Sequence, residues 1–159
     1  MRIVERTVGI GHFLFDQVPS HIAEVPPKPR KLNPWLKDGK PVVSKINTDD
    51  NIRQCVERVL SPLGPLSSII SRGDNVMVKP NFNSDDSPPA STDLNFLKAV
   101  LEILLESGAK VSVGESSGGI WRPTSNVFRR LHLHEFARNL GVKLVSFEDP
   151  QNEWVKIIQ

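Results

Sequence analysis

The chain has 159 residues, 38% hydrophobic and 24% charged, with a formal net charge of +2 at pH 7. That is enough chain for one domain with a real core and too little for two. The composition excludes global disorder, and so even a charge balance gives no argument for a nucleic-acid partner. A single cysteine, Cys55, excludes an internal disulfide and any all-cysteine zinc or iron–sulfur site within the chain.

The N-terminal stretch "MRIVERTVGIGHFLF" has neither a secretory core nor a small-residue cleavage site. No run approaches the ~18 apolar residues a membrane helix needs, so the expectation is a cytoplasmic protein with no membrane partner. Residues 1–41 hold six of the thirteen prolines. Pro26, Pro27, Pro29 and Pro34 lack amide protons and push their neighbours out of helical geometry. The segment reads as an extended Pro-rich arm, made basic by Lys28, Arg30, Lys31, Lys37 and Lys40 and given one anchor by Trp35. Such an arm can dock on a partner protein, or lie over its own domain as a solvated linker. His12 and His21 lie in it without a legible partner.

From Val42 to the C-terminus, residues 42–159, the texture is that of a regular α/β domain. "PVVSKIN" reads as a first strand, followed by a helix capped by Asp49 or Asp50 with Ile52, Cys55, Val56 and Val59 on one face. "SPLGPL" breaks that helix, "SSIISRGD" makes a short helical turn, and "NVMVKP" is the second strand. Thr92 to Ser107 is the clearest helix: Leu94, Leu97, Val100, Leu101, Leu104 and Leu105 form a stripe. Ser91 or Thr92 can cap it, Asp93 suits its positive end, and Gly108 stops it. "AKVSVGE" is the third strand, a Gly/Ser loop follows, and residues 124–140 read as helical up to Gly141. "VKLVSFE" is a fourth strand and "EWVKIIQ" the start of a fifth. Alternating strands and helices predict a mostly parallel sheet of about four to five strands with helices on both faces.

In open parallel sheets ligands sit beyond the carboxyl ends of the strands. Lys79, Asn81, Glu115 and Ser116 follow strand ends directly and are expected on one rim. There Lys79 would neutralise an anion, Asn81 would orient it, and Glu115 would move a proton or hold a metal. The turn Ser116, Ser117, Gly118, Gly119 lacks bulky side chains and can aim backbone N–H groups at an anion. It matches neither a phosphate-binding Gly-Lys-Ser/Thr loop nor a dinucleotide fingerprint. Arg122 can clamp a carboxylate or phosphate bidentately, and Thr92 stands near the same rim. Asp85 and Asp86 can offer oxygens to Mg²⁺ or belong to a solvated loop. His132 and His134 lie one residue apart in a helical context, so they point to different faces and share no metal.

Three stretches, "GDNVMVKPNF", "STDLNFLKAVLEILLESGAKVSVGESSGG" and "NVFRRLHLHEFARNLGVKLVSFED", carry a resemblance. They resemble the amino-terminal half of the domain-of-unknown-function family 362, whose members are often described as iron–sulfur cluster-binding proteins. The matching features are Lys79, Pro80 and Asn81 at a strand end and Thr92 at a helix start. The Gly108 to Lys110 turn, and Gly114, Glu115 and Ser116 at the next strand end, complete them. The resemblance covers roughly Val42 onward. Asp93 and Leu94 stand where the family commonly has a histidine or proline, and the cysteine clusters of its iron–sulfur members are missing. Its second half, with a Pro-Lys-Leu-Lys-Thr-His-like motif, is also missing, which implies either a fragment or a shortened relative.

Two functional readings follow. The first is a ligand-binding α/β domain, part of an enzyme acting on a small phosphate or carboxylate, with Lys79 and Glu115 as catalytic residues. Asn81, Thr92, Ser116, Ser117, Gly118, Gly119 and Arg122 would then be ligand contacts. The second is a non-catalytic module that docks on an iron–sulfur redox partner through residues 1–41. The sequence leaves open whether catalysis occurs and whether the chain forms a homo-oligomer.

Overall fold

A computed structural model describes residues 23–29, 33–117, 122–149, 151–152 and 155–158. The strands are β1 (Ala23–Val25), β2 (Leu36–Lys37), β3 (Lys40–Pro41), β4 (Asn75–Val78), β5 (Lys110–Glu115), β6 (Lys143–Ser146) and β7 (Val155–Ile157). The helices are α1 (Ile52–Leu60), α2 (Leu94–Glu106), α3 (Thr124–Arg130) and α4 (Leu133–Leu140). Three-residue helical turns at Ser61–Leu63 and Leu66–Ser68 separate α1 from β4.

The central sheet is parallel, with order β4-β5-β6. The α/β class expected from the sequence therefore stands. The register puts Val76 beside Val111, and Val78 beside Val113, which in turn pairs with Leu144. Val111 and Val113 belong to the core with Leu97, Leu101 and Leu104 of α2, Val127 and Phe128 of α3, and Leu133 and Ala137 of α4, and the half-buried Val76, Val78 and Leu144 pack against it. The four described helices thus gather on one face of the sheet or on one another, where the sequence reading puts helices on both faces. The cause is topological: the strands are laid down in sequential order, so two right-handed crossovers deliver their helices to the same side. Helix α1 packs on α2 rather than on the sheet. Each fully buried side chain, Leu101 or Phe128 for example, contributes about 1.5–3 kcal/mol of transfer free energy.

Local chemistry explains where the elements begin. Asn51 caps α1, its Oδ1 accepting from Gln54 N at 3.0 Å, in place of the expected Asp49 or Asp50. Asp93 caps α2, accepting from Asn95 N at 2.8 Å and Phe96 N at 2.9 Å. Thr92, offered as an alternative cap, is engaged elsewhere. The expected helix over 124–140 is two helices, because His132 takes a left-handed conformation (φ 54°) between them. The segment 42–47, expected as a strand, has no regular structure, and strand geometry there stops at Pro41.

The strands outside the central sheet form two small pairs. β2 and β3 make a short antiparallel hairpin, and β1 runs parallel to β7. "EWVKIIQ" does supply a strand, but it pairs with Ala23–Val25 and not with the central sheet. Trp35 acts as the anchor its isolation suggested: its ring Nε1 donates to Leu63 O at 2.7 Å.

Two features carry testable consequences. Gly114 is the last residue but one of β5, with Phe147 and Met77 against it. A Cβ added there would collide with the Phe147 ring and lie 2.8 Å from Met77 Sδ. The methionine is a flexible side chain that can swing away; the larger Phe147 ring, on the turn just past β6, would have to shift bodily. Gly114→Ala is expected to lower stability by about 1–3 kcal/mol in urea unfolding, and the double variant Gly114→Ala/Phe147→Leu to recover part of the loss.

The second concerns helix pairing. Arg53 of α1 reaches Glu106 of α2 with two hydrogen bonds, of 2.7 and 2.6 Å, and also Glu57 at 3.1 Å. The guanidinium holds the Glu106 carboxyl below its ordinary range. A depressed carboxylate contributes stability above its unfolded value of about 4.3 and loses it as pH falls through the lower native value. Arg53→Met should therefore be less stable than the parent at pH 7 and close to it below Glu106's native titration. The difference is small because the pair is exposed, and thermal melts across pH 2–7 in low salt would measure it.

Candidate functional site

β4 ends at Val78 and β5 at Glu115, and the residues beyond these two strand ends make the rim the sequence pointed to. Glu115 is its organising group. Its side chain is fully buried (0% exposed) and every described partner is a donor: Lys79 Nζ at 2.5 Å, Phe82 N at 2.9 Å and Ser116 N at 2.8 Å. A carboxylate can be kept in a core only if its charge is paired and its lone pairs are filled, and both conditions are met here. Lys79 lies differently. Its side chain is 55% exposed, and of its three ammonium donors one is directed at Glu115.

The loop between β4 and α2 is closed onto this carboxylate. Phe82 is fully buried, and its amide donates to Glu115 while its carbonyl accepts from Ser117 Oγ at 2.8 Å. Asn81 and Thr92 bond reciprocally, Asn81 N to Thr92 Oγ1 at 2.8 Å and Thr92 N to Asn81 O at 2.9 Å. Asn81 Nδ2 also donates to Ala90 O at 3.1 Å. Thr92 is thus the staple that shuts the neck of the loop. Within the loop, buried Ser91 donates to Ser84 O at 2.9 Å and Ser84 Oγ donates to Asp86 Oδ2 at 2.6 Å.

The Gly/Ser turn differs from the expected open cradle. The amide of Ser116 is taken by Glu115, and that of Ser117 donates to Thr124 Oγ1 at 2.7 Å. Ser117 itself is buried, with its hydroxyl spent on Phe82 O. These two amides point inward to the protein and do not face a ligand; Gly118 and Gly119 lie outside the described residues. Ser116 Oγ donates to Glu148 Oε1 at 2.9 Å, and Glu148 Oε2 accepts from Thr124 N at 3.2 Å. Sequence reasoning missed Phe82, Thr124 and Glu148 as parts of this network. Glu148 was within reach of the same rule that found Glu115, since it lies two residues past the end of the neighbouring parallel strand, β6.

Three basic side chains edge the rim. Lys79 pairs with Glu115, Arg130 donates to both oxygens of Asp85 at 3.1 and 3.2 Å, and Arg122 lies 3.9 Å from Asp86. Asp85 and Asp86 therefore face cations of the protein. Among the described residues no three His, Cys, Asp or Glu side chains come together as a metal-binding group. The Phe128 ring packs edge-on against His134, with centroids 6.1 Å apart.

The iron–sulfur chemistry implied by the resemblance does not fit the residues present. Cys55 is the single cysteine in the sequence, it is 3% exposed in α1, and its thiol donates to Asp49 Oδ1 at 3.3 Å. That hydrogen bond is the first cause of an Asp49 carboxyl held below its ordinary range.

The geometry makes Glu115 a structural requirement before any other role. Glu115→Ala would leave two inward amides without an acceptor and is expected to cost about 3–5 kcal/mol, as removal of one partner of a buried charge pair does. Glu115→Gln keeps an acceptor oxygen and should lose less, about 1–3 kcal/mol. Guanidinium unfolding of the two variants beside the parent measures the order; equal stability of all three would contradict the assignment.

No helix of the described residues is long and apolar enough to cross a membrane. No curated protein and no solved structure matches this chain. The family model described as Domain of unknown function (DUF362) matches residues 76–159. The match opens on β4, at Val76 rather than at Val42, and takes in the whole rim described above. By that match over more than half its length, the chain belongs to the DUF362 family.

Proposed function

We propose that the rim beyond β4 and β5 binds a small anion, a phosphate or carboxylate, and that this chain is the anion-recognition part of an α/β enzyme. The observation that carries the reading is the asymmetry of the Lys79–Glu115 pair. The carboxylate is wholly buried and the ammonium is 55% exposed, 2.5 Å from it. Burial locks Glu115, and Glu115 in turn fixes the position of Lys79 at the end of a parallel strand, where ligands of such sheets bind. A lysine held this way has lost its side-chain freedom before a ligand arrives and keeps donors facing solvent. Among the described residues Arg122, 58% exposed, makes one long charge contact, to Asp86 at 3.9 Å, and in this reading it is the second cation offered to the same ligand. In this reading Lys79 contacts the anion, Glu115 positions Lys79, and Asn81 and Thr92 hold the loop that frames it.

Titration calorimetry with inorganic phosphate and with acetate, on the full chain in low salt, tests this. Because Lys79→Met alone strands a buried carboxylate, the paired variant Lys79→Met/Glu115→Gln is the informative one: it removes both charges together. Phosphate binding is expected to weaken by about tenfold or more, with the circular-dichroism spectrum unchanged and with Lys98→Ala, on the outer side of α2, behaving as the parent. A folded paired variant that binds phosphate as the parent does would overturn the proposal.

A further inference from the structure

The two adjacent acids of the β4–α2 loop are held in different ways. Asp85 is hydrogen-bonded to Arg130 through both its oxygens, which fastens the loop to the end of α3. Asp86 lies 3.9 Å from Arg122, a charge contact without a hydrogen bond, and both side chains are largely exposed, at 65% and 58%. Its orientation comes from behind: buried Ser84 donates to Asp86 Oδ2 at 2.6 Å, the same oxygen that faces Arg122. The aspartate is thus presented to the arginine by its own loop. The arginine meanwhile keeps its planar fork of donors uncommitted to it, and that fork suits a bidentate oxyanion.

We propose that Asp86 is a built-in competitor for the rim: its carboxylate occupies the field of Arg122 when the site is empty and yields to an incoming oxyanion. The inference rests on the anion-binding reading above and adds a selectivity device to it. A ligand must offer Arg122 more than one long carboxylate contact, so a phosphate able to engage the fork with two oxygens displaces Asp86, and a monodentate or weakly charged group does not. The energetic scale suits a reversible contact, since exposed ion pairs are worth up to about 1 kcal/mol, or roughly fivefold in affinity.

Calorimetry with inorganic phosphate in low salt, on the full chain, reads this directly. Asp86→Asn is expected to bind phosphate about two- to fivefold more tightly than the parent. Ser84→Ala leaves the net charge unchanged and only removes the group that aims Asp86, so a gain in that variant separates release of Arg122 from a general change in charge. In an Arg122→Ala background, Asp86→Asn should give no gain. The proposal is overturned if Asp86→Asn binds no more tightly than the parent, if Ser84→Ala gives no gain, or if the gain of Asp86→Asn persists without Arg122; in each case phosphate binding by the parent leaves the anion reading standing. If neither the parent nor any folded variant binds phosphate, both fall together.

Discussion

A carboxylate with no exposed surface sits at the end of the central strand of this protein, and the arrangement of the rim follows from the need to satisfy it. Glu115 takes donors from three places: Lys79 just past β4, Phe82 in the loop after it, and Ser116 next along its own chain. Uncompensated, such a charge in a core would cost several kcal/mol. Every one of those donors is therefore held where the carboxylate needs it. Phe82 is pinned twice, by its amide and by its carbonyl, and its ring fills the core. The loop that carries it can then turn back only where Thr92 closes on Asn81.

This explains why the short strand β4, which runs on into Lys79, Pro80 and Asn81, is followed by so many residues before the next helix. The loop has three tasks at once: to bring an amide to Glu115, to bury Phe82, and to leave Lys79 outside. A tight turn from β4 into α2 could do the first or the second but not all three. Within the loop, the buried hydroxyls of Ser84 and Ser91 stand in for the backbone hydrogen bonds that regular structure would supply, which is how an irregular segment tolerates burial.

The sequence made the large features legible because they rest on periodicity. The leucine stripe of α2, the alternation in β5 and the order of strand and helix gave an α/β sheet, and the strand-end rule brought Lys79 and Glu115 to one edge. Other features depended on partners distant in sequence and could not be read this way. Nothing in "NVFRRLHLHEFARNL" marks His132 as the left-handed break between two helices. Ser116 and Ser117 looked like open donors because a small-residue turn has the right composition for a cradle. Their amides turn inward only because Thr124 and Glu115 are there to receive them. Helices on both faces is the general habit of parallel sheets; three strands in sequential order bring the described helices that pack on them to one side.

The polar groups of the rim fall into two rings, and the division bears on what the rim can do. The inner ring, Glu115, Ser117, Thr124 and the amides of Phe82 and Ser116, is buried and mutually satisfied. It has nothing left to offer a ligand and supplies rigidity. The outer ring, Lys79, Arg122, Asp86 and Glu148, is exposed and, apart from the Lys79 ammonium on buried Glu115, holds its contacts in water. Exposed contacts are cheap to exchange and buried ones are not. Under the proposed anion-binding reading, recognition belongs to the outer ring, whose formal charges of both signs cancel before an anion arrives. On that reading an anion would displace the Asp86 carboxylate from Arg122 rather than fill a positive void, so the geometry with which it meets Lys79 and Arg122 would count for more than its charge alone.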